Sequence, residues 1–163
     1  DRLKEEGWER ATLEGKEEIL RRHVYDLYME FEDEACTLSG PSSSAGPTMF
    51  EETDEPAPNT QRVATFNVHR LTFKAVPDVG DYRKVFTIVR GIRESKADIV
   101  ALQELCRPEA LMALHLFVEL DDTLARTLRG HLTSAWRRTS AHPAFRRGNH
   151  SYMYLGYLYK GSV

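Results

Sequence analysis

Apolar residues recur between Lys16 and Cys36 at Leu20, Val24, Leu27 and Phe31, at spacings of 4, 3 and 4. That is the repeat of one face of an amphipathic helix. Glu17 and Glu18 stand four residues before Arg21 and Arg22, so ion pairs line the opposite face, while Gly7 and Gly15 weaken any continuation towards the N-terminus. The pattern then stops. Residues 38–60 hold four of the seven prolines and the acidic group Glu51, Glu52, Asp54 and Glu55, the composition of an unstructured linker. From Arg62 it changes character: Val63–Val68 is β-branched and aromatic at strand length. Tyr82–Ser95 places Val85, Ile88, Val89 and Ile92 on one helical face, and Asp98–Gln103 is a short apolar strand. Pro108–Arg129 reads as a second helix, with Leu111, Leu114, Phe117, Val118 and Leu124, and Ser151–Lys160 as a tyrosine-rich strand.

Strand, helix, strand, helix, strand predicts an α/β fold. The interval from Val68 to Asp98 is about the ~30 residues of a parallel crossover. Three regions follow: an acidic amphipathic helix over 1–37, a Pro/Ser-rich acidic linker over 38–60, and an α/β portion over 61–163. The 163 residues suffice for one sizeable core. No apolar run approaches the ~18–20 residues of a spanning helix, and the start of the chain has no apolar leader segment. Cys36 and Cys106 form no CxxC or zinc pattern. A reducing intracellular compartment, cytoplasmic or nuclear, is the expectation, with no disulfide.

Net charge of −3 conceals a division: residues 1–60 carry 6 Lys/Arg against 16 Asp/Glu, and residues 61–163 carry 16 against 9. From Thr123 to Val163 there is no acidic residue, yet Arg126, Arg129, Arg137, Arg138, Arg146, Arg147 and Lys160 all fall there. Arg137, Arg138, Arg146 and Arg147 are the candidate phosphate contacts, because guanidinium forks bind phosphate bidentately. Nucleic acid is the polyanion this field suits best. The competing reading is a solvated basic loop paired against the acidic first sixty residues.

Parallel strands end on one edge of a sheet, where ligand crevices form, and polar residues close both strands here: Asn67 the first and Glu104 the second. An amide oxygen and a carboxylate are the hard donors that Mg²⁺, or Mn²⁺, accepts, with water and substrate phosphate completing the shell. The wording of the two strands, Arg62-Val-Ala-Thr-Phe-Asn67-Val-His and Ala97-Asp-Ile-Val-Ala-Leu-Gln-Glu104-Leu, resembles the first two motifs of the endonuclease/exonuclease/phosphatase family, the DNase I-like fold. The resemblance implies a metal-dependent phosphodiesterase or nuclease in which Asn67 and Glu104 lie at the metal. Asp98 matches as a turn or cap residue and Gln103 as a neighbour of the site. Tyr154–Lys160 resembles the family's third strand, its tyrosines read as sheet packing. The family's Asp-x-Asn and Ser-Asp-His motifs, which carry its catalytic Asp and His, occur nowhere in the chain. The expectation is therefore a partial DNase I-like sandwich, either a fragment of a longer enzyme or a shortened relative. None of His69, His115, His131, His142 and His150 is favoured as a replacement base. Substrates from nucleic acid to inositol-phosphate or sphingolipid diesters stay open. The alternative class is a non-catalytic scaffold whose 16–36 helix binds a protein partner.

Overall fold

The computed structural model describes residues 2–38, 60–74, 79–127, 136–147 and 151–161. Most of the acidic linker, residues 39–59, lies outside them. In chain order the elements are α1 (Arg2–Glu5), a 3₁₀ turn (Trp8–Arg10), α2 (Leu13–Leu38), β1 (Val63–Leu71), α3 (Val79–Ser95), β2 (Ile99–Leu105), α4 (Pro108–Thr127), β3 (Trp136–Arg138), β4 (His142–Arg147) and β5 (Ser151–Lys160). The long helix begins ahead of its expected start even though Gly15 sits in its first turn. Thr12 explains this: its Oγ1 accepts the Gly15 N–H at 3.2 Å, capping an otherwise open helix end.

The sheet is mixed. β1 and β2 are parallel, β5 lies antiparallel beside β2, and β3 and β4 pair in succession along the far edge of β5. Here the expected basic loop is corrected: much of 136–147 is strand. Two short segments containing four arginines and Pro143 carry no periodicity of their own, and β5 alone supplies the backbone partners that make them strands. Asp98 clamps one end of the sheet. Its carboxylate accepts the Arg62 N–H at 2.8 Å and lies 3.7 Å from Lys160 Nζ, tying β1, β2 and β5 together at their first or last residues.

Helices α3 and α4 cover one face of the sheet, and α2 lies across both helices. Leu20, Val24 and Leu27, the apolar stripe read from the sequence, are buried there, in one core cluster that runs from Leu3 and Trp8 to Leu158. The face that would have docked a partner helix is thus occupied within the chain. Edge-on aromatic pairs join the layers, with Tyr28 against Phe86 at 5.6 Å and Phe86 against Phe117 at 5.2 Å. Close approach of α4 to the central strand depends on Gly156, where an added Cβ would lie 2.4 Å from Leu111 Cδ2. Among the described residues, no helix is long and apolar enough to cross a membrane.

A polar chain fixes α2 to the sheet edge. Glu17 takes both terminal nitrogens of Arg138, at 3.2 and 2.5 Å. Arg138 also meets His115 Nδ1 at 2.8 Å, and His115 Nε2 lies 3.0 Å from the Trp136 carbonyl. An always-charged guanidinium donates to Nδ1, so Nε2 carries the proton and donates to the carbonyl. Burial pushes the His115 pKa down, favouring this neutral tautomer. The Arg138 hydrogen bond holds the Glu17 carboxyl at about 2.

Two outcomes follow from this packing. Gly156→Ala is expected to destabilise by about 1–3 kcal/mol in denaturant unfolding, because Leu111 must move. Glu17 has a lowered folded pKa, so its contribution is present above the ordinary carboxyl range and is lost as pH falls towards about 2. Thermal unfolding is therefore expected to drop over that acid window, and Glu17→Gln to flatten the drop while lowering stability near neutrality by on the order of 1–3 kcal/mol.

Candidate functional site

Side-chain alternation gives the sheet two unlike faces. Phe66 of β1 points at the helices, its ring reaching 3.2 Å from the position of a Cβ on Gly91 of α3. Asn67, one residue on, therefore projects from the opposite face, which no described helix covers, as Thr65 and Val63 do. β2 would present Glu104 to the helix side by the same rule, since Val100 and Leu102 are buried there. A bulge prevents it.

Between Leu102 and Leu105 the pairing of β2 with β5 slips, and between Asn67 and Leu71 the pairing of β1 with β2 slips as well. Glu104 has φ 61°, and His69 and Arg70 in the β1 irregularity have φ 47° and 59°. These left-handed conformations are unfavourable for side-chain-bearing residues by roughly 1–2 kcal/mol each. Three of them at two adjoining strand ends mark a locally distorted backbone of the kind that re-aims side chains at functional sites. The result is contact: Asn67 Nδ2 donates to Glu104 Oε1 at 3.0 Å, and Asn67 Oδ1 accepts the His69 N–H at 3.0 Å. Leu71 O accepts the Cys106 N–H at 2.9 Å, closing the two strand ends on each other beyond the bulges.

Asn67 is exposed and Glu104 half-buried. Glu104 makes no ion pair among the described residues, although cations stand nearby in the chain. Arg70 and Arg107 are exposed, and Lys84 of α3 donates to the His69 carbonyl at 2.6 Å. Sequence reasoning passed over these three, because nothing in their spacing signals that a crossover and two bulges bring residues 69–71, 84 and 104–107 together. Gln103 is the register partner of Asn67, beside the site as expected.

The four candidate arginines do not form one cluster. Arg137 pairs in register with Tyr159, and Tyr159 with Ile99, so Arg137 sits at the start of β2, about 16 Å along the strand from Glu104 at ~3.3 Å per residue. Arg138 turns to the helix side and is committed to Glu17 and His115, which removes it as a phosphate contact. The reading of basic residues paired against the acidic first sixty holds for Arg138. Arg146 pairs in register with Tyr152 near the far end of β4, past the level of Glu104, its guanidinium 5.9 Å from the Tyr152 ring, and Arg147 follows it in the strand. Among the histidines, His69 and His142 are exposed and His115 is structural; His131 and His150 lie outside the described residues. Tyr154 packs on the core as expected. Tyr152 and Tyr157, each 45% exposed, do not.

Among the described residues no group of three or more His, Cys, Asp or Glu converges as a metal cage. The pair itself suits a hard cation bound mainly by water and substrate: Glu104 retains a free oxygen and Asn67 Oδ1 a second lone pair. Cys106 is a free thiol whose sulfur lies 3.9 Å from the Met153 sulfur.

Backbone strain at residue 104 has a measurable consequence. Glu104→Gly is expected to be more stable than Glu104→Ala by about 1 kcal/mol in denaturant titration, because only glycine adopts the left-handed conformation freely. Equal stability of the two variants would show that the bulge relaxes and holds nothing in place. No family model matches the chain, and no curated protein or solved structure matches it either.

Proposed function

We propose that residues 62–160 form the metal-bearing portion of a DNase I-like, Mg²⁺- or Mn²⁺-dependent phosphodiester hydrolase. One observation carries this reading: the Asn67 amide and the Glu104 carboxylate touch where the regular pairing of two parallel strands gives way to bulges, held there by a strained backbone. A bound divalent ion would supply charge compensation to a non-bridging phosphate oxygen. Glu104 would hold the ion through its free carboxylate oxygen and Asn67 through the second lone pair of Oδ1, whose orientation the His69 N–H fixes, and Arg70 and Arg107 would add positive potential to the same rim. Nothing in this arrangement removes the proton of an attacking water, and the sequence contains neither the Asp-x-Asn nor the Ser-Asp-His motif that does so in the family it resembles.

Binding and turnover should accordingly separate in the 163-residue chain. Titration with Mn²⁺ is expected to broaden the NMR side-chain amide signal of Asn67 selectively, and Glu104→Gln to abolish that broadening. Hydrolysis of a chromogenic phosphodiester is expected to stay at background. If the Asn67 signal is indifferent to Mn²⁺ and Mg²⁺ in the folded protein, the hydrolase reading fails.

A further inference from the structure

Both backbone polar groups of His69 are engaged by side chains. Its N–H donates to Asn67 Oδ1 at 3.0 Å, and its carbonyl accepts from Lys84 Nζ of α3 at 2.6 Å. Asn67 Nδ2 in turn donates to Glu104 Oε1 at 3.0 Å. Three consecutive hydrogen bonds therefore run from Lys84 through His69 and Asn67 to Glu104. The middle of this chain is the left-handed segment His69–Arg70, which does not keep its own shape, because residues with side chains leave that conformation when nothing opposes it. We infer that Lys84 is a positioning residue for the Asn67–Glu104 pair: its ammonium clamps the β1 bulge in the form that turns the Asn67 amide onto Glu104.

The place of Lys84 is set independently of the bulge. α3 is tied to the chain just beyond it by Thr72 Oγ1, which donates to Asp81 Oδ1 at 3.2 Å, and by the edge-on pair of Phe73 and Tyr82 at 5.9 Å. Tyr82, Val85, Phe86 and Val89 are buried. The first turns of α3 are thus a fixed base from which the lysine stem reaches back to β1. The charge of the donor matters, because a hydrogen bond from an ammonium is roughly twice as strong as one between neutral groups. Stability alone does not account for the contact. Lys84 is exposed and makes no ion pair among the described residues. Water would satisfy an exposed carbonyl at little cost, whereas ordering a lysine side chain loses rotamer freedom. What the contact holds is the orientation of the residue whose N–H fixes Asn67.

Clamping of the pair needs no metal; its consequence for a bound ion rests on the hydrolase reading. The experiment on the 163-residue chain therefore has a metal-free arm and a metal arm. It compares Lys84→Met, which keeps the stem and removes the donor, with Lys84→Arg, which keeps a charged donor. In EDTA, exchange of the His69 amide with water, measured by NMR, is expected to be about fivefold or more faster in Lys84→Met and near the wild-type rate in Lys84→Arg, with the Val85 and Val89 amides of α3 unchanged in both. In Mn²⁺ titrations followed at the Asn67 side-chain signal, Lys84→Met is expected to weaken binding about fivefold or more, and Lys84→Arg to restore it. The sign discriminates, because removing a positive charge beside a cation site strengthens binding when electrostatics act alone. An unchanged His69 exchange rate in Lys84→Met overturns the inference whether or not metal binds. Mn²⁺ affinity equal to or above wild type in that variant also overturns it, and leaves the hydrolase reading standing. Absence of Mn²⁺ binding by the wild-type chain, with His69 exchange accelerated in Lys84→Met, sinks the hydrolase reading and supports the clamp.

Discussion

Register between β1 and β2 is the constraint on which the rest of the candidate site depends. Parallel pairing sets Asn67 beside Gln103, and the Asp98 carboxylate pins that register by accepting the Arg62 N–H at the far end. Were the pairing to slip by one residue, every side chain of β1 would change face, and Asn67 would be driven into α3 while Phe66 met solvent. Burial of Phe66, Val68, Val100 and Leu102 against the helices thus does more than stabilise a core. It fixes which face, and which end of it, carries the polar pair.

Against that frame the bulges act as a local correction. Regular alternation would have turned Glu104 inward, towards the α4 side. The extra residue of β2, with its left-handed Glu104, and the looser excursion of β1 through His69 and Arg70 bring the carboxylate to Asn67 on the uncovered face. Strain of this kind persists only where surrounding packing overdetermines it. Leu71, Phe73 and Leu105, all essentially inaccessible, provide that packing immediately beyond the distortion.

The two sides of the sheet use charge in opposite ways. On the helical side cations are matched within the chain: Lys16 to Glu109, Arg21 to Glu119, Arg93 to Asp121, Arg138 to Glu17. Such pairs orient α2 on its two supporting helices more than they add net stability, the partly buried Arg138 link excepted. On the opposite face, Arg137 makes no ion pair among the described residues. Among the described residues, the acidic first sixty balance the basic half where α2 touches it, as in the Arg138 to Glu17 pair.

Local pattern alone determined the elements whose residues carry their own period: the Leu20–Phe31 stripe, the Val85–Ile92 face, the β-branched run ending at Asn67 and the strand ending in Leu-Gln-Glu. It also determined the parallel crossover, because its length admits little else, and so that Asn67 and Glu104 lie on neighbouring strands, although β1 runs on to Leu71 beyond Asn67. Tertiary structure decided what no local pattern encodes. It recruited 136–138 and 142–147 to β5 through backbone hydrogen bonds to a distant strand. It turned Arg138 into a buried tie for α2 while leaving Arg137 exposed, because adjacent residues of a strand face opposite ways. It placed Arg70, Lys84 and Arg107 around the strand ends, and it bent the backbone at Glu104, since a bulge is a mismatch between two strands and belongs to neither sequence segment by itself.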